Sequence, residues 1–152
     1  MRKFWQRIIA VAEVVGGILA LSAIIFAAKA GASKSAILLG AGLDLFVVVA
    51  GMALWLRPVL GSVLSEIALG LQAVQVFSAW FVWQYVAGMA LLVQVVGGEV
   101  GWSGGLQVRH RFSQEGGGSG GGVGVNLMAV AALTYWVVSR RREKPLRRRG
   151  SA

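Results

Sequence analysis

The sequence predicts an all-α membrane protein: a four-helix transmembrane bundle with a small antiparallel β element in the outer loop between its third and fourth helices. Three observations carry that expectation. Four apolar stretches, about 8–28, 36–56, 63–87 and 123–138, are separated by short basic or glycine-rich breaks. Only 14% of the 152 residues are charged, against about 25% in a soluble domain. The net charge of +9 sits at the ends, with Arg2, Lys3 and Arg7 before the first stretch and seven basic residues from Arg140 to Arg149 after the last. Together these make residues 1–152 a single integral membrane domain.

The first stretch, Ile8–Ala28, contains one charge, Glu13. At about 1.5 Å of rise per residue, a helix of that length crosses a hydrocarbon core of roughly 30 Å. Lys and Arg stay on the cytoplasmic side of a membrane, so both basic termini lie in the cytoplasm and the number of spans is even. A bacterial-type inner (plasma) membrane is the expected location. A rival reading takes the first stretch as a signal peptide, with Met1-Arg2-Lys3 as its charged start and Ala28-Lys29-Ala30 as a cleavage site. The apolar run exceeds the roughly 7–15 residues of a signal core, which favours a retained span.

The third stretch is apolar from Val63 to Val96, about 50 Å as one helix, which is too long for one span. Trp80, Phe81, Trp83 and Tyr85 form an outer aromatic belt in this reading, with Trp5, Trp55 and Trp136 at the opposite interface. The helix is therefore expected to end near Ala87-Gly88, followed by an outer glycine-rich loop over about 89–122. Within it, Leu106 to Ser113 alternate apolar and polar residues with the period of a strand. Leu91, Val93 and Val95 offer an earlier strand, and Val123 with Val125 a later one that would shorten the fourth helix. Gly97-Gly98, Gly104-Gly105 and the run 116–122 supply turns.

Charged groups inside a span are costly and are usually paired or functional. Glu13, Asp44 and Glu66 are the intramembrane carboxylates and the candidate proton-binding groups. Glu66 is expected to pair with Arg57 or Arg7, and Asp44 with Lys34. Gln72 and Gln75, three apart on one helical face, mark a helix-packing seam. Arg140, Arg141, Arg142, Arg147, Arg148 and Arg149 form a basic cytoplasmic tail suited to anionic lipid headgroups. Arg109 and Arg111 flank His110 on a cationic strand edge open to an acidic partner.

Ala12-Glu13-Val14-Val15-Gly16 resembles the first-helix motif of small multidrug resistance transporters. The resemblance implies four spans and a role for Glu13 as the carboxylate that exchanges protons for cationic substrates. The long glycine-rich loop and the basic tail depart from that family's pattern.

Cysteine is absent and there is one histidine, so thiol chemistry, iron–sulfur clusters and bis-histidine haem are excluded. No glycine run has the strand–helix context or following Lys-Ser of a phosphate loop. No cofactor, metal or specific nucleic acid is expected, and an enzyme is not indicated. The expected role is that of an accessory or structural subunit, packing on another membrane protein or on its own copies. The alternative is a proton-coupled small-molecule transporter centred on Glu13.

Overall fold

The computed structural model describes residues 2–78, 80, 82–113 and 121–147. It contains helices α1 (Arg2–Lys29), α2 (Lys34–Leu56), α3 (Pro58–Ala73) and α4 (Leu127–Arg147) and strands β1 (Val74–Phe77), β2 (Val82–Val96), β3 (Glu99–Ser113) and β4 (Gly122–Asn126). The fold is therefore mixed α and β, with a four-stranded antiparallel sheet, and not an all-α bundle. The third apolar stretch is where the expectation fails. Helix α3 stops at Ala73, and Val74 turns extended with φ −121° and ψ 136°. From Val74 to Val86 the chain is rich in Val, Trp, Phe and Tyr, which pack well on a pleated surface and lose rotamer freedom in a helix. Unbroken apolarity does not distinguish a buried strand from a helix. Likewise, residues 123–126 of the expected fourth span are strand, and α4 is apolar only as far as Ser139.

Two of the four helices, α1 and α2, are long and apolar enough to be membrane spans; both lie near the N-terminus, where a signal sequence has the same character. They form an antiparallel hairpin. A tight turn at Gly31 (φ 83°) leads to Ser33, whose side chain accepts from the Ala36 N–H at 3.3 Å and caps α2. Small residues let the two backbones approach: a Cβ on Gly51 would lie 2.7 Å from the Ala10 carbonyl oxygen. The opposite faces carry exposed Ile18, Ile25, Phe26, Leu38, Leu45 and Trp55. Less than a third of α1's apolar window (28%) and a third of α2's (33%) is buried, whereas the core helix of a soluble protein is mostly covered.

The sheet follows the order β1–β4–β2–β3. Strands β2 and β3 pair in register from Val82↔Ser113 to Val96↔Glu99, joined at Gly97-Gly98, both at positive φ, the signature of a tight hairpin turn. Strand β4 pairs with β1 and with the last five residues of β2, while β1 also pairs with Val82 and Trp83. The ring β1–β4–β2 thus closes on itself. Its closure forces a bend. Straight, β2 would separate Val82 from Val96 by about 46 Å, yet three strand spacings, about 15 Å, connect them through Phe77 and Gly122. Gly88 (φ 109°) in β2 and Gly105 (φ 119°) in β3 lie near the middle of the hairpin, where glycine permits a corner.

The ring buries apolar and polar side chains together. Val86, Ala90 and Leu92 form a small buried cluster beside buried Gln75 and Gln84. The exposed side chains include Val74, Met89, Leu91, Val95, Val100, Trp102, Leu106 and Val123. The corner docks on α1: a Cβ on Gly16 would lie 2.8 Å from the Ala87 oxygen and 2.9 Å from the Gly88 Cα. Gly16→Leu is expected to push the sheet off the helix pair and to cost about 1–3 kcal/mol, the range for overpacking. Gly42, with nothing within 4 Å, is the control, and Gly42→Ala should be neutral or slightly stabilising. Thermal unfolding of both variants in mild detergent checks this.

Candidate functional site

Two buried carboxylates organise the interior, one on each long helix. Glu13 lies in the fourth turn of α1 and is 4% exposed. Its Oε2 accepts a 2.7 Å hydrogen bond from the Ser65 hydroxyl on α3. Its Oε1 is buried and has no hydrogen-bond partner among the described residues. Glu13 also lines a cavity of about 350 Å³ between α1, α3, α4 and the sheet corner. The walls are mostly apolar, among them Ile8, Ile9, Ala12, Met89 and Met128, and Tyr135 adds a hydroxyl to the amides of Gln72 and Asn126. The carbonyl oxygens of both amides are engaged. The Gln72 Oε1 accepts from the Ala87 N–H at 3.2 Å. The Asn126 Oδ1 accepts from Leu91 N–H (3.3 Å) and Met128 N–H (3.2 Å), joining β2 to the start of α4. Glu13 supplies the one carboxylate among the described residues that line this cavity.

Asp44, fully buried on α2, ties the hairpin to the helices. Its Oδ1 lies 2.8 Å from His110 Nε2 on β3 and accepts from the Tyr85 hydroxyl on β2 at 3.2 Å. The Tyr85 and His110 rings stack at 5.5 Å, as their cross-strand pairing requires. Burial first, and then the neighbouring Asp44 charge, push the Tyr85 phenol above its ordinary range, which keeps it a donor. A carboxylate taken out of water loses several kcal/mol of solvation. Donors from two strands offset that loss and place the sheet on the helix pair.

The partner expected for Asp44 was another residue. Asp44 meets His110 and Tyr85, not Lys34. His110 faces the helices, and the acidic partner it meets is internal. Tyr85 and Trp83 do not form an outer aromatic belt: Tyr85 is fully buried and the Trp83 indole donates to the Leu71 carbonyl at 3.3 Å. Trp80 is 84% exposed, and Phe81 lies outside the described residues. Glu66 is half-buried on α3, while Arg7 lies 5.7 Å over the Trp55 ring. Gln72 and Gln75 do not share a helical face, because Gln72 belongs to α3 and Gln75 to β1. Arg140, Arg141, Arg142 and Arg147 continue α4; Arg148 and Arg149 lie outside the described residues. The groups that complete the site, Ser65, Tyr85, His110 and Asn126, carry no spacing signal toward Glu13 or Asp44. They come from elements whose packing decides who meets whom.

Among the described residues, no cluster of three or more metal-ligating side chains occurs. Comparison with protein-family models, curated proteins and solved structures finds no match for this chain. The five-residue likeness around Glu13 to small multidrug resistance transporters is therefore not extended by the fold, since the four spans it implies are not present as helices.

The Asp44 tie generates a measurable coupling. Asp44→Asn and Tyr85→Phe should each destabilise the protein, and their double variant should fall short of additivity by about 0.5–3 kcal/mol, as contacting groups do. Strict additivity in a thermal-unfolding cycle would show that the contact carries no coupling energy.

Proposed function

We propose that this chain is a small non-enzymatic membrane protein that receives a lipophilic guest in the cavity beside Glu13. Helices α1 and α2 cross the plasma membrane as a hairpin, and the basic ends keep both termini cytoplasmic. Three features support a lipid setting: the apolar outward faces of α1 and α2, the exposed apolar side of the sheet, and glutamines turned inward. The observation that carries the functional reading is a buried carboxylate oxygen without a partner among the described residues, on a side chain that lines a largely apolar cavity of about 350 Å³. That volume lies at the small end of ligand pockets, roughly 300–1,000 Å³. An unspent acceptor in a low-dielectric wall selects a guest that brings a hydrogen-bond donor or a positive charge on an apolar body. Binding of this kind is also the first step that a proton-linked exporter would need.

Ethidium, a flat apolar cation with amino donors, is a suitable probe. Its fluorescence should rise saturably on adding the detergent-purified protein. Glu13→Gln should weaken that binding about tenfold or more, the loss expected for one charged hydrogen bond, and Glu66→Gln should not change it. Equal affinity in Glu13→Gln would overturn the assignment. If expressing cells also extrude the dye and lose that activity with Glu13→Gln, binding extends to transport.

A second reading, an accessory subunit that packs on a partner or on its own copies, is favoured by a separate observation. Strand β3 lies at the sheet edge and pairs with β2 alone among the described residues, and its Val100, Trp102 and Leu106 are exposed. In lipid, unpaired backbone groups are costly, so an apolar edge of this length calls for a neighbouring chain. Extraction in mild detergent should then recover a stoichiometric partner or a homo-oligomer; a lone protomer would count against this role.

A further inference from the structure

We propose that the mouth of the β ring is a binding site for a phosphate group, built from Arg109 and Arg111 above a glutamine floor. The site is separate from the Glu13 cavity and does not depend on its function. Strand alternation creates it. Val108 and His110 point to the helices, where Val108 packs on the main core and His110 meets Asp44. Arg109 and Arg111, paired in register with Val86 and Gln84, take the opposite face. Both arginines line a second cavity of about 260 Å³ together with Phe77, Gln84, Gln94 and Val96.

The chemistry of this lining is one-sided. Among the described residues no carboxylate lines the cavity, and neither arginine has an ion-pair partner. Beneath them the Gln75 Oε1 accepts from Gln84 Nε2 at 3.3 Å and Gln94 Nε2 at 2.6 Å. Each of those amides carries two N–H groups and spends one on Gln75. Gln75 is itself fully buried, and its Nε2 has no hydrogen-bond partner among the described residues. Gln84 and Gln94, which line the cavity, therefore hold N–H donors beyond those given to Gln75, below two planar guanidinium forks. Such forks match tetrahedral oxyanions through paired hydrogen bonds. At about 260 Å³ the space lies below the usual range for a whole drug-sized ligand and suits a single headgroup. The phosphate comes either from an anionic lipid headgroup or from a free phosphate compound; the recognition chemistry is shared.

The test uses the full chain in neutral detergent. Inorganic phosphate, titrated against chloride at matched ionic strength, should raise the unfolding temperature saturably. Arg109→Gln/Arg111→Gln should weaken this about tenfold or more, as expected for lost hydrogen bonds between charged groups. In a second arm, native mass spectrometry counts retained phosphatidylglycerol against phosphatidylcholine. Lipid held by the basic tail persists in the double variant, whereas lipid held at the ring mouth is lost. Loss of phosphate binding alone identifies a soluble ligand, and loss of phosphatidylglycerol alone identifies a lipid. If neither phosphate nor phosphatidylglycerol distinguishes the double variant from the natural chain, the site is overturned. Should the glutamine variant fail to fold, Arg109→Lys/Arg111→Lys keeps the charge and removes the planar fork; it should bind phosphate more weakly, and unchanged affinity overturns the site equally.

Discussion

Two carboxylates buried on an apolar helix pair must be met by donors, and the rest of the molecule is arranged around meeting them. Asp44 takes its donors from two strands, Tyr85 on β2 and His110 on β3. Glu13 takes one from Ser65 on α3. These contacts join segments 41 to 66 residues apart in sequence. They fix where the hairpin lies along α2 and where α3 lies along α1. With those positions set, the Gly88 corner falls against Gly16, and the space left between α1, α3 and α4 becomes the cavity that Glu13 lines.

The sheet solves a different problem. Four strands with a long hairpin would leave open edges and an exposed apolar face, both costly in water. Pairing of β1 with both β4 and β2 closes one side, and bending at the glycine corner turns the glutamines inward. Gln75 then becomes the hub of an amide network that only a closed ring can shelter from solvent. The same alternation that sends His110 to the helices sends Arg109 and Arg111 to the ring mouth. One strand thereby serves a buried hydrogen bond to Asp44 on one face and an open cationic cavity on the other.

The legible parts of this protein were those written in local pattern. The apolar stretches at 8–28 and 36–56 fall within α1 and α2, since some twenty mostly apolar residues with one charge admit few alternatives to a helix. The alternation from Leu106 to Ser113 falls within β3. Glu13 and Asp44 stood out because a charge inside an apolar run is costly wherever the run folds. The illegible parts were those in which every neighbour is apolar. Between Val63 and Val96 the sequence offers neither a clear period nor a Gly or Pro break at the switch from Ala73 to Val74. Helix and strand there differ by side-chain fit alone. Val123 and Val125 raised the same ambiguity at the start of α4, and pairing with β1 and β2 decided it for the strand.

The sequence by itself determined the medium-sized facts: a chain dominated by apolar residues, basic at its ends, with two long N-terminal helices and two carboxylates within them. Composition and periodicity are properties of short windows, so they survive without knowledge of the fold. Only the tertiary structure decided that the third apolar stretch is half strand, that the ring closes, and that Asp44 belongs to His110 instead of Lys34. Hydrogen-bond partners far apart in sequence are chosen by packing geometry, and no window of the chain contains that geometry.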